Sequence, residues 1–126
     1  MIPLYGNAGI DKTAAMTVDE VSWFGVRTVA FFPSLSVYEE RVTIWKAASL
    51  DDALELAEAE GQQYCDTHEA RWCGLAQAYR IGDAALTAGS EVFSLMRTSD
   101  LDHNSYVSAF FDTGAERQAP SPAPDL

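Results

Sequence analysis

Basic residues are scarce in this 126-residue chain. Eight Lys and Arg stand against 19 Asp and Glu, a net charge of -11 and a pI near 4.3. A surface of that sign repels phosphate backbones and anionic headgroups, which argues against nucleic-acid and membrane partners. It suits solubility, or a cationic partner. Cysteine is scarcer still, with Cys65 and Cys73 alone. A chain of this length buries roughly two-thirds of its unfolded surface and needs neither disulfide nor metal to fold. Both thiols are therefore expected reduced, unbridged and metal-free, in a cytoplasmic setting. No apolar run reaches the roughly 20 residues of a membrane span. Met1 to Glu20 has no basic opening and no continuous apolar stretch, so it does not read as a signal peptide. Also missing are a Gly-rich phosphate loop, a nucleophile elbow, a dense Cys/His set and a basic stripe.

What remains is an ordinary soluble composition, 48% hydrophobic with a mean hydropathy of -0.09. Arg outnumbers Lys six to two, which fits a GC-rich bacterial coding bias. Residues 1–20 mix Gly6, Gly9 and short apolar pairs without a period and predict a loosely ordered arm. Ser22 to Phe32 is rich in β-branched and aromatic residues and predicts a strand. Phe24, Val26, Thr28, Ala30 and Phe32 fall on one face, and Trp23, Gly25, Arg27, Val29 and Phe31 on the other. Large apolar groups on both faces point to a central strand. Pro33 to Ser36 carries turn chemistry. Tyr38 to Ala47 then predicts a second strand, paired with the first as a hairpin.

Ser49 and Asp52 form a capping-box-like start for a helix over Leu50 to Asp66, with Leu50, Leu54, Ala57, Gly61 and Tyr64 as its buried stripe. Glu69 to Ile81 and Glu91 to Arg97 predict a third and fourth strand. A second cap signal, Ser99 with Asp102, precedes Tyr106, Val107, Phe110 and Phe111 at helical spacing, and Gly114 is placed to stop that helix. From residue 113 the chain turns Pro- and Ala-rich and predicts a disordered tail to residue 126. The expected fold is α+β in the order ββαββα. It has a four-stranded, mainly antiparallel sheet with one long helix and a short C-terminal helix, in a single domain over residues 21–112.

The Trp-Phe-Gly-Val-Arg run at 23–27, Tyr-Glu-Glu-Arg-Val at 38–42 and the capped segment from Lys46 to Ala57 carry a resemblance. With Glu-Val-Phe-Ser at 91–94 and the aromatic-ended final helix, they resemble a small bacterial family of about one hundred residues catalogued as a domain of unknown function. The resemblance spans roughly Val21 to Asp112. It implies the architecture above and brings no catalytic residue with it.

Several constellations compete with plain structural roles. Cys65, His68 and Cys73, with His103, are the nearest approach to a zinc set, but their spacing fits no established pattern. The same residues offer a Cys/His nucleophile pair without an oxyanion donor loop or an orienting group. Glu39 and Glu40 are adjacent on a strand and point to opposite faces, so they cannot share a substrate. Asp100 and Asp102 are explained as helix-start acids. No cofactor is expected.

The aromatic residues are more informative. Trp23 and Arg27, with Trp45 and Arg41, are expected to form a second sheet face too apolar to leave bare. Its cover is the arm, the final helix, or another chain. The sequence thus predicts a non-enzymatic protein-binding module, with Trp23, Arg27, Arg41 and Trp45 as the binding face. A protein partner or a second copy of the chain would occupy it, and an immunity-type protein that neutralises a basic toxin is one concrete form. The competing expectation is a small-molecule or catalytic pocket between helix and sheet.

Overall fold

Strand β1, Ser22–Phe32, has the residue alternation of a strand that must be covered twice, and the computed structural model places it in the middle of the sheet. The structure describes residues 21–82 and 84–118; the expected arm over residues 1–20 and the end of the expected tail lie outside these. The chain divides into two compact units, Met1–Leu95 and Met96–Leu126. That division falls inside the span that the sequence predicts as one domain.

In the first unit, β2 spans Val37–Ala47, α1 Leu50–Thr67 and β3 Arg71–Gly82. The sheet is antiparallel in the order β2-β1-β3. The turn at residues 33–36 closes the hairpin through Leu35 N–H donating to Phe32 O at 3.1 Å. Phe24, Val26, Thr28, Ala30 and Phe32 are all buried, as the alternation of β1 requires.

Helix α1 begins where its cap dictates, with Asp52 N–H donating to Ser49 Oγ at 3.1 Å. Its buried stripe is Leu50, Ala53, Ala57, Gly61 and Cys65. This corrects the expected stripe: Leu54 and Tyr64 sit half-buried at its flanks, while Ala53 and Cys65 join the centre. The physical reason is distance. Small residues along the contact line let the helix axis approach the sheet, and the larger side chains then fill the flanks. Phe24, Val26, Ala47, Leu50, Ala53, Ala57 and Ala78 form one core cluster, and Ala30, Phe32 and Cys65 a second. Burying one such Phe or Leu contributes about 1.5–3 kcal/mol.

β3 begins at Arg71 rather than Glu69, because Glu69 takes a left-handed φ of 55° as the chain leaves the helix. Its ladder with β1 is interrupted twice. Thr28 pairs with Ala76 but Ala30 pairs with Trp72, so β3 carries two extra residues there, and Gly74 absorbs them at φ 76°.

The expected fourth strand is a correction. Residues 91–97 form no strand, and among the described residues the sheet has three. Val92 instead presents its carbonyl to the Tyr79 hydroxyl, which donates to it, and Phe93 packs edge-on against Tyr79 at 5.6 Å. A segment laid over the face of a sheet contributes side chains and leaves the edge ladder unmade.

The second unit carries α2, His103–Tyr106, continuing into a π-helical turn at Val107–Phe111. Its cap is Asp102 rather than Ser99: Asp102 Oδ1 accepts from Ser105 N–H at 2.8 Å, while Ser99 Oγ accepts from Leu101 N–H at 3.1 Å. Gly114, at φ 92°, follows the end of the turn. No residue of these two helical turns is buried. Among the described residues no helix is long and apolar enough to cross a membrane.

Gly25 is required by close approach. A Cβ there would lie within the ring of Tyr79, which is 5% exposed and tethered at its hydroxyl. Gly25→Ala should therefore cost about 1–3 kcal/mol through overpacking. The check is a urea midpoint that falls while the slope of the transition stays constant.

Candidate functional site

The four residues predicted as one binding face occupy two. Directly opposed residues of a ladder share a side of the sheet. The register pairs Phe24 with Trp45 and Thr28 with Arg41, which puts Trp45 and Arg41 on the helix side. It pairs Trp23 with Lys46 and Arg27 with Val42, which puts Trp23 and Arg27 on the open side. The signal was present in the turn. Four residues between Phe32 and Val37 make odd positions of β1 face even positions of β2.

On the helix side, Arg41 forms a two-pronged ion pair with Glu60, Nη1 donating to Oε1 at 3.1 Å and Nη2 to Oε2 at 2.8 Å. Its guanidinium carbon lies 3.7 Å from the centre of the Tyr64 ring. The Tyr64 hydroxyl donates to Glu39 Oε1 at 2.6 Å, and the His68 ring stacks on Tyr64 at 4.2 Å while its Nδ1 donates to Tyr64 O at 2.8 Å. The bond to Glu60 raises the Arg41 pKa further. Tyr64 is pushed up to about 12, first by burial and then by its bond to the Glu39 carboxylate. A phenol held neutral and a guanidinium already matched to a carboxylate are poorly suited to proton transfer or substrate capture at neutral pH. The cluster is a clamp that ties α1 to β2. Sequence inspection missed Glu60 and Tyr64 as its members because their partners lie 19 and 25 residues away. Trp45 Nε1 donates to Thr43 Oγ1 at 2.7 Å, which occupies its polar end.

On the open side, Trp23, Arg27, Val29 and Phe31 of β1 align with Lys46, Val42, Glu40 and Tyr38 of β2. Phe31 and Tyr38 rings lie 4.6 Å apart, Lys46 Nζ is 5.8 Å from the Trp23 ring centre, and Arg27 sits 3.6 Å from Glu40. Phe93 covers part of this face, with the Arg27 guanidinium 5.3 Å from its ring. The β2 part stays bare: Tyr38 is 66% exposed, Val42 45% and Ile44 40%. Three basic side chains, Arg27, Lys46 and Arg71, register on this side against the one carboxylate of Glu40. The face is locally basic on an acidic protein.

The remaining candidates do not converge. Cys65 is buried, Cys73 exposed, and neither is bridged. Among the described residues no three His, Cys, Asp or Glu side chains form a metal-holding group. A cavity of about 30 Å³ beside Tyr79, Val92 and Phe93 holds roughly one water. A wider groove of about 320 Å³ in the second unit is lined by Arg97, Ser99, Leu101, His103, Tyr106 and Val107, nearly all of them exposed. No family model matches the chain, and neither a curated relative nor a solved structure matches it.

Two outcomes follow from these environments. Tyr64 has a folded-state pKa above its ordinary value of 10, so its stabilising effect is complete below pH 10 and is lost as pH rises through about 12. The stability difference between wild type and Tyr64→Phe, followed by urea unfolding, should therefore shrink from pH 9 to pH 12. Burial pushes the Cys65 thiol pKa up, so it resists alkylation. Iodoacetamide should label one thiol, Cys73, in the folded protein and both in urea. Absence of labelling at both would reveal a bridge.

Proposed function

We propose that this protein is a non-enzymatic binding module whose working surface is the open sheet face centred on Tyr38, Val42 and Ile44, with Trp23 and Arg27 beside them. The observation that carries the reading is the exposure of Tyr38, Val42 and Ile44 on a hairpin paired without a register shift. Surfaces of this kind bind through a few apolar anchors ringed by charges. Arg41 and Trp45 leave the proposed surface, since the register turns them under α1.

Charge supports the same reading in two parts. Asp51, Asp52, Glu55 and Glu58 crowd the outer surface of α1, where they keep the chain soluble and draw basic proteins toward it. The open sheet face carries the opposite local sign and is the place where contact is made. The helix clamp supports a binding role over a catalytic one, because each of its charged groups is already matched within the chain.

The test is retention from native-host extract on immobilised full-length protein, wild type against a Tyr38→Ser, Ile44→Ser double variant of unchanged secondary structure. The expected result is a protein, or further copies of the chain itself, held by wild type and lost by the variant. Identical retention together with identical light-scattering mass would overturn the proposed surface.

A further inference from the structure

We infer that the outer edge of β2 pairs with the same edge of a second copy about a two-fold axis at Thr43, which joins two three-stranded sheets into one of six strands. The inference rests on the binding-surface reading and names its partner.

An unpaired strand edge offers a row of free backbone donors and acceptors to any other strand. Natural sheets blunt such edges with bulges, Pro, short length or charge. The two edges of this sheet differ. β3 is broken by two register shifts and a left-handed Gly74. β2 runs for 11 residues, about twice the usual strand length, without Pro, Gly or any register shift against β1. Among the described residues nothing pairs with its outer side. Its only common form of protection is charge, and here the charges are arranged to accept a copy of themselves.

Glu40 lies three residues before Thr43 and Lys46 three residues after it, both on the open face. Val42 and Ile44 lie one residue to either side on that same face. An antiparallel two-fold pairing at Thr43 therefore sets Glu40 against Lys46 at both ends and Val42 against Ile44 twice in the middle. On the helix side the same operation sets Arg41 against Trp45, a cation beside an indole. Directly opposed opposite charges and branched pairs each stabilise a ladder, and like charges in those places oppose it. A one-residue shift of the axis would lose every one of these matches. The symmetry is of the kind a closed dimer requires, one patch meeting itself. A two-fold perpendicular to the sheet keeps both α1 helices on one side and leaves the apolar open faces of both copies continuous. The exposed Val42 and Ile44 then gain cover from each other.

The test uses the full chain in analytical ultracentrifugation over a dilution series up to about 100 µM, so that each Kd is read directly and even a micromolar Kd gives mostly dimer at the upper end. Wild type should sediment at twice the chain mass of 13.7 kDa. Glu40→Lys alone and Lys46→Glu alone each set like charges together at both ends and should weaken association by about tenfold or more. An equimolar mixture of the two single variants should restore the dimer as a mixed pair, and so should the double swap in one chain. Recovery in the mixture also shows that each variant folds. A monomeric wild type overturns the inference, as do single variants that dimerise unchanged or a mixture that fails to recover. A monomer that still loses a host protein in the Tyr38→Ser, Ile44→Ser variant would overturn the two-fold pairing alone and leave the binding surface standing.

Discussion

Every other feature of the first unit follows from one constraint: β1 is apolar on both faces. Phe24, Val26, Ala30 and Phe32 need cover on one side, and Trp23, Val29 and Phe31 need it on the other. Helix α1 supplies the first cover. Among the described residues the second is supplied over the β1–β3 half, where Tyr79 and Phe93 close over Gly25 and Arg27. A strand with two such faces cannot be an edge, so β2 and β3 flank it and inherit the exposed positions. The bare side chains on β2 are the remainder of that arrangement.

The helix approaches closely because Ala53, Ala57 and Gly61 present almost nothing between its backbone and the sheet. A Cβ at Gly61 would enter the Trp72 ring. Close approach has an electrostatic consequence at the β2 side. It brings Glu60 and Tyr64 within reach of Arg41 and Glu39, in a half-dry setting where a matched ion pair is stronger than on an open surface. Removal of one partner there would leave a partly buried charge unmatched, which costs more than the intact pair contributes. The clamp thus fixes helix position more than it adds stability, and it engages the charged groups most suggestive of chemistry with one another.

Separation of charge between surfaces gives the molecule two characters. The outer side of α1 is anionic, and the open sheet face is apolar with an excess of basic groups. On the proposed binding reading, long-range fields from a net charge of -11 bias which molecules approach, and short-range packing at the exposed Tyr38, Val42 and Ile44 would select among them. An acidic composition therefore says less about the contact itself than about what reaches it.

Local rules made much of this legible in the sequence. The period of two in residues 22–32, the Ser49 cap and the apolar spacing of the helix located β1, β2 and α1 within a residue or so, because each signal is carried by near neighbours in the chain. Where the reading failed, the deciding interaction was distant. Glu91-Val-Phe-Ser has the composition of a strand, yet Phe93 and the Val92 carbonyl are taken by Tyr79 on the sheet face. The cap is the local exception: Ser99 is displaced by Asp102, three residues on, which accepts from the Ser105 amide. The division of Trp23 and Arg27 from Trp45 and Arg41 depended on pairing register, a property of two strands together. Alternation along one strand determines which residues share a face. Only the ladder decides which faces of two strands coincide, since a shift of one residue turns every side chain to the opposite side of the sheet.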